Sequence, residues 1–218
     1  MAGLRERQKA DRTRRMLESA ARLFREHGYG AVRMEDIAQA ADLSVGTLYN
    51  YFETKGDLLL AIVSMEVEEV IDAGEAVVAA PPPDVAEAIS RLIGIYYDHS
   101  LSYLSKEMWR TAMALSIEAP GTPFSAHYTD LDRKLAEQVQ ALIAVLQARG
   151  LARAEVDAEA VGQLLFNNLN QMFTEFVKQD VMGLPDLHAA VTRQNAPIAV
   201  LLTPAPSSTS MRTGPKAV

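Results

Sequence analysis

"DLSVGTLYNYFETKGDLL", residues 42–59, has features that packing in a core alone does not require. Gly46 falls in the first turn of a short predicted helix, where glycine costs roughly 1 kcal/mol relative to alanine. Tyr49, Asn50 and Tyr51 follow in a row, and three consecutive helical positions cannot all face one core. The stretch therefore predicts a small helix that presses against a surface outside its own domain.

The residues before this stretch predict a second short helix. Residues 34–41 bury Ile37 and Ala38 on one face, a tight turn follows, and Ser44 caps the next helix. Two helices joined by a short turn, with small Ala38 at their crossing, are typical of a helix-turn-helix. In that motif the second helix lies in the DNA major groove, and its early residues meet bases and phosphates. The absent side chain of Gly46 would let the helix approach the DNA backbone.

The predicted DNA contacts follow from this geometry. Leu48 and Phe52, four residues apart, face inward and anchor the helix, while hydroxyl groups reach phosphate oxygens and Asn50 best matches adenine. Lys55 adds a cation and a backbone N–H for phosphate. The predicted contact residues are Ser44, Val45, Gly46, Thr47, Tyr49, Asn50, Tyr51 and Lys55. Spacing alone leaves a second interpretation open, in which these residues form a helix cap and a half-buried aromatic cluster.

Charge is unevenly distributed along the chain. Residues 1–25 carry eight Lys or Arg against three acidic residues, a net charge of +5. Residues 1–56 have a net charge of +2, which leaves −9 for the remainder of a chain whose total is −7. A basic head on an acidic body is typical of a polyanion-binding module joined to a different one. A solvated basic tail remains the alternative, and residues 1–12 are expected to be a flexible polar arm.

Composition limits the possible classes of protein. The 218 residues are 49% hydrophobic, enough for one large domain or two small ones. There is no cysteine, which excludes disulfides, thiolate metal sites and thiol nucleophiles. No signal peptide and no apolar run of about 18 residues is found, so we expect a cytoplasmic protein without a membrane span.

Hydrophobic periodicity predicts an all-α protein of about nine helices. The predicted helices cover residues 13–27, 34–41, 45–51, 55–79, 84–103, a stretch ending at 117, 125–149, 154–180 and a last segment that Pro197 should kink or break. The fourth helix has an apolar stripe, and Glu66, Glu68 and Glu69 are expected to face outward. We predict a DNA-binding domain at 1–56, a helical domain at 57–203 and a disordered tail at 204–218.

Residues 13–63 resemble the N-terminal domain of the TetR family of transcriptional regulators. The matching residues are Ala20-Ala21, Phe24, Gly28-Tyr29, Asp36-Ile37-Ala38, Leu43-Ser44, Gly46-Thr47-Leu48-Tyr49, Tyr51-Phe52, Lys55 and Leu58-Leu59. The resemblance implies a homodimer that represses by binding a near-palindromic DNA operator and leaves it when a small-molecule effector enters the C-terminal domain.

The sequence departs from the family pattern at three positions. Arg33 replaces the usual Ser or Thr that caps the second helix; it is a candidate phosphate contact, but the cap is lost. Asp42 replaces the turn glycine and must adopt the left-handed conformation at some cost. Gly56 replaces an acidic residue and weakens the first turn of the fourth helix.

Two features of the second half suggest dimerisation and ligand binding. Residues 154–180 have apolar side chains around more of the helix than packing within one chain requires. We therefore expect this helix and the last one to pack against a second copy of the chain. In the alternative, the helix lies at the centre of a monomeric core. Aromatic, Met and amide residues suggest an effector pocket. The candidates are Tyr96, Trp109, Met113, Tyr128, Phe166, Asn170 and Phe173. The same residues could instead be core aromatics and an amide at a helix surface or dimer seam, as could Asn167.

Two rival functions were weighed against a DNA-binding regulator. An all-α enzyme lacks the expected motifs, because no H-E-x-x-H, G-x-S-x-G or Gly-rich phosphate loop is present. His127, Asp130 and Asp132 have a faintly metal-like spacing that is more typical of a solvated loop. The second rival is a helical adaptor that binds no DNA. We therefore predict a regulator that is not an enzyme and has no metal site or cofactor.

Overall fold

The computed structural model describes residues 2–205, and this part of the chain is all-α. It contains α1 (Ala2–His27), α2 (Met34–Ala40), α3 (Val45–Tyr49), α4 (Lys55–Ala79), α5 (Val85–His99), α6 (Lys106–Glu118), α7 (Pro123–Ala148), α8 (Ala158–Lys178) and α9 (Leu184–Leu202). The predicted fold class and the nine helices are confirmed for these residues. The predicted disordered tail, apart from Pro204 and Ala205, lies outside them.

The expected flexible arm at residues 1–12 is wrong, because α1 is continuous from Ala2. Thr13 does not cap this helix; its hydroxyl donates to the Lys9 carbonyl at 3.1 Å from within it. Arg15 pairs with Asp11 one turn earlier, at 3.7 Å, which supports the helix in a segment without an apolar stripe.

Local hydrogen bonds explain how the unusual residues are accommodated. Asp42 has φ 56°, the left-handed conformation expected at the turn between α2 and α3. The Asp36 carboxylate accepts from the backbone N–H of Arg33 at 2.9 Å, so α2 begins at Met34 without a Ser or Thr cap. Thr54 and Asp57 accept from each other's backbone N–H at 3.0 and 2.8 Å, a capping box that offsets the effect of Gly56.

The helices of the second half pack around α4. It lies against α5, α6 and α7, and α7 runs along α8. At the α7–α8 contact Gly162 allows close approach, since a Cβ there would lie 2.5 Å from the Cα of Gln140. Helix α9 packs on α5 and α8, and it continues through Pro197 instead of breaking there. Within residues 2–205 no helix has the length and hydropathy needed to cross a membrane.

The crowding around α4 corrects one prediction about its acidic residues. Glu68 and Glu69 are exposed as expected, but Glu66 is buried, with 1% of its surface accessible. Val63, Val67 and Val70 flank it on the same helix and are also buried. Since α4 is enclosed by several helices, its buried surface is wider than the single stripe that periodicity indicates.

Candidate DNA-binding surface and effector cavity

The short helix α3 has one face packed in the core and another face accessible to solvent. Leu48 has no accessible surface and Phe52 is buried, so both face the core as predicted. A Cβ added at Gly46 would meet no atom within 4 Å, and 44% of the Tyr49 surface is accessible. The half-buried aromatic cluster of the alternative interpretation fits Tyr51, which is half-buried, but not Tyr49, which is exposed.

The other predicted contact residues differ in how much they are already engaged. Ser44 and Asn50 are exposed, while Val45 and Thr47 are half-buried. The Ser44 hydroxyl accepts from the Thr47 backbone N–H at 3.1 Å and lies 2.7 Å from the Thr47 hydroxyl. Both hydroxyls thus help to start α3, and each retains capacity for a further bond. Arg33 is exposed and pairs with Glu35 at 3.4 Å.

Lys55 has a structural role that its sequence position did not reveal. Its ammonium donates to the backbone carbonyls of Tyr29, Val32 and Gly30 at 2.7, 3.0 and 3.3 Å. It also lies 4.5 Å from the centre of the Tyr29 ring. The side chain therefore ties the start of α4 to the turn between α1 and α2, and its contact with phosphate stays a prediction.

A cavity lies among α4, α5, α6, α7 and α8, with about 70 Å³ of free volume. Six of the seven effector candidates line it: Tyr96, Trp109, Tyr128, Phe166, Asn170 and Phe173. Met113 lies outside the lining, half-buried against the core further along α6. Asn167 is also outside, where it accepts from Gln163 at 2.9 Å.

Two carboxylates that were not predicted also line the cavity, Glu66 from α4 and Asp132 from α7. The signal for Glu66 was its position among the buried valines of α4. Asp132 was grouped with His127 and Asp130, but these do not converge: His127 bonds Ser64 at 2.8 Å and Asp130 pairs with Arg133. No cluster in residues 2–205 gathers three His, Cys, Asp or Glu side chains around a possible metal.

The two carboxylates have different surroundings. One Glu66 oxygen, Oε1, lies 2.7 Å from His99 Nδ1, and the other has no hydrogen-bond partner. Burial raises the pKa of Glu66, and the bond to His99 opposes that rise. Burial raises the pKa of Asp132 to about 6, from an ordinary value of 3.8.

Three of the cavity's aromatic rings have their polar group hydrogen-bonded within the protein. The Tyr96 hydroxyl donates to Gln138 at 2.7 Å, and the Tyr97 hydroxyl donates to the Leu169 carbonyl at 2.8 Å. The Trp109 indole N–H donates to the Ser100 carbonyl at 2.7 Å. These bonds fix the rings in place, and the cavity wall between the two carboxylates is almost wholly apolar.

The sequence model of the family described as "Bacterial regulatory proteins, tetR family" matches residues 16–62, the segment that contains this helix-turn-helix. The N-terminal segment of the chain is therefore similar to that of TetR-family proteins. The match supports a DNA-binding regulator over both rival interpretations, an enzyme and a helical adaptor that binds no DNA.

Individual relatives agree with this assignment. The transcriptional repressor KstR of Rhodococcus jostii is 38% identical over 65 residues, which are 30% of this chain and 31% of that protein. The match thus spans about a third of the length of this curated relative. A transcriptional regulator from Saccharomonospora viridis, solved in complex with choline, has a TM-score of 0.65 at 21% identity and covers 86% of this chain and 96% of its own. Thermus thermophilus FadR, solved in complex with lauroyl-CoA, has a TM-score of 0.60 at 19% identity. The match covers 89% of this chain and 98% of the FadR chain.

The raised pKa of Asp132 predicts a pH-dependent effect of Asp132→Asn on stability. Because the folded state binds the Asp132 proton more tightly than the unfolded state, its favourable effect is present below about pH 4 and is lost as the pH rises through about 6. The substitution should therefore raise Tm more at pH 8 than at pH 4, as measured by thermal unfolding.

Asp130→Asn is the matched control on the same helix. Asp130 is paired with Arg133 and its pKa is lowered, so its loss should give no gain in Tm at pH 8. Equal Tm changes for Asp132→Asn at both pH values would contradict the assigned burial.

Proposed function

We propose that the protein is a homodimeric transcriptional repressor that binds a palindromic DNA operator and releases it when a small molecule occupies the cavity. Residues 1–56 would bind DNA, and residues 57–203 would bind the effector and dimerise, in the cytoplasm. The observation that carries the proposal is the open surface over Gly46, beside exposed Tyr49 and Asn50 on a helix anchored by Leu48.

DNA recognition by this surface follows from its shape and chemistry. With no side chain at Gly46, the backbone of α3 can come close to a phosphate, which positions the helix in the groove. Asn50 then lies at the end of α3 with an amide suited to adenine. Arg33, Ser44, Thr47, Tyr49 and Tyr51 supply the remaining phosphate and sugar contacts, with Val45 available for apolar contact.

Dimerisation is supported by apolar side chains left uncovered on α8 and α9. Leu164 is 53% accessible, although the opposite face of α8 is buried against α7. Val200 and Leu201 near the end of α9 are 72% and 68% accessible. Exposed apolar residues on two packed helices are typical of an interface. Two-fold pairing through α8 and α9 would double the few base contacts that one α3 can make.

The effector switch depends on two connections between the cavity and the DNA-binding helices. Helix α4 lines the cavity with Val63, Glu66 and Val67, and its first residue is Lys55, which holds the α1–α2 turn. Helix α6 lines it with Trp109, and Glu107 in its first turn accepts from the Tyr29 backbone N–H at 3.2 Å.

A free volume of about 70 Å³ admits a compact group or a few water molecules, so a larger effector enters only if the lining helices move apart. Movement of α4 and α6 would be transmitted to the α1–α2 turn and would change the separation of the two α3 helices. The repressive sign of regulation is taken from the relatives, among them KstR, which is described as a repressor.

Selection of bound sequences from random duplex DNA tests the DNA-binding proposal. We expect an inverted repeat, with affinity that falls steeply as salt increases because phosphate contacts dominate. Gly46→Ala should lower affinity for the selected sequence about tenfold or more without lowering Tm, since the added methyl group meets no protein atom.

Gly94→Ala, on α5 in the other half of the chain, is the matched control and should leave DNA affinity unchanged, because its Cβ would make only ordinary contact with His188 at 3.8 Å. Recovery of no enriched sequence, or full affinity in Gly46→Ala, would overturn the assignment of this surface.

The dimer is tested by charge placed in the exposed apolar surface of α8 and α9. Leu164→Glu combined with Leu201→Glu should convert the dimer to a monomer, because a paired interface would bury both charges without partners. Sedimentation velocity measures the change. Ile117→Glu, at an equally exposed position on α6, should remain dimeric. A wild-type monomer, or a double variant that stays dimeric, would contradict the proposed interface.

A further inference from the structure

Glu66 presents an unusual polar atom to the cavity. The residue is 1% accessible, and its Oε2 is the one buried side-chain nitrogen or oxygen without a hydrogen-bond partner in residues 2–205. Leaving such an atom unpaired is unfavourable, and more so when the group is charged. Because the unpaired oxygen makes the folded state less stable, its presence here calls for a functional explanation.

The charges around the cavity all favour a cation. Glu66 enters from α4 and Asp132 from α7, while α5, α6 and α8 contribute no Lys or Arg to the lining. His99 of α5 lies behind Glu66, and its second ring nitrogen is 3.3 Å from Glu69. Glu69 also accepts from the Tyr103 hydroxyl at 3.1 Å. The single histidine is therefore shared between two carboxylates, and Asp132 on α7 adds a third acidic group.

Six aromatic rings also line the cavity, beside aliphatic side chains, Ser100 and Asn170. The rings are Tyr96, Tyr97, Trp109, Tyr128, Phe166 and Phe173. Their faces attract cations, most strongly when water is excluded. Trp109 and Phe173 meet edge to face with their centres 5.1 Å apart, and Tyr97 stacks on Phe173 at 6.2 Å, so these three rings form one continuous surface.

We propose that the cavity binds a protonated amine carried on a compact apolar body. The ammonium N–H donates to Glu66 Oε2, Asp132 supplies the second negative charge, and the aromatic rings enclose the hydrocarbon. A carboxylate or phosphate ligand would instead meet two acidic groups and no cation. The inference concerns the ligand's chemical class, and it rests on the proposed function only in treating that ligand as the effector.

Trp109 provides a direct measure of binding, since it is the single tryptophan in the chain and lines the cavity. Its fluorescence is titrated at neutral pH, without DNA, with three compounds of similar shape: phenethylamine, 2-phenylethanol and 3-phenylpropionate. We expect phenethylamine to bind at least about tenfold more tightly than the neutral alcohol or the anion. Equal or tighter binding of the alcohol or the anion, or no response to any of them at millimolar concentration, would overturn the proposal.

Two variants test which groups recognise the amine. Glu66→Gln keeps the side chain's size but removes its charge, so the preference for amine over alcohol should fall about tenfold. Asp132→Asn should reduce the same preference and serves as the test if Glu66→Gln does not fold. Glu68→Gln is the control, because Glu68 is exposed on the same helix and lies outside the cavity lining. An amine preference unchanged in both cavity variants would contradict the assigned contacts.

The outcome is separable from that of the proposed function. Phenethylamine is afterwards added to the complex with the selected DNA, and release is measured independently of Trp109 fluorescence. Failure to bind or release DNA would overturn the repressor and leave the amine site in place. Loss of the amine preference would overturn the ligand class and leave DNA binding intact.

Discussion

The ammonium of Lys55 is the contact on which the arrangement of this protein depends. It satisfies three backbone carbonyls of residues 29, 30 and 32 and lies against the Tyr29 ring, so a single side chain fixes the turn after α1 to the beginning of α4. Hydrogen bonds from a charged donor are stronger than neutral ones. The position of α2 and α3 is thereby determined by the direction of α4.

The same helix that receives this constraint also carries the cavity's buried carboxylate. Glu66 lies three helical turns beyond Lys55, and it is enclosed because α5, α6 and α7 pack around α4. A rigid helix with one end on the DNA-binding unit and its middle in a cavity can relay a change between them. In the proposed switch, therefore, ligand binding and DNA binding are linked by a displacement of α4, with α6 as a second connection through Glu107.

Local patterns in the sequence predicted the helices well, since capping residues and apolar periodicity act over one or two turns. Thr54, for example, correctly placed the start of α4 at Lys55. The helical start of α1 was missed because residues 2–12 have no apolar stripe. The burial of Glu66 and the position of Asp132 depend on which helices surround them, and that information is absent from the residues nearby. The aromatic candidates were predicted more successfully, and all five of them line the cavity.

The central claim is that cavity occupation changes the separation of the two DNA-reading helices. The chain has no cysteine, so Gln39→Cys on the exposed face of α2 accepts one spin label per copy. The distance between the two labels is measured by double electron–electron resonance, with and without a ligand that saturates the Trp109 response. We expect the distance distribution to shift when the ligand binds; an unchanged distribution at saturation would contradict the proposed switch.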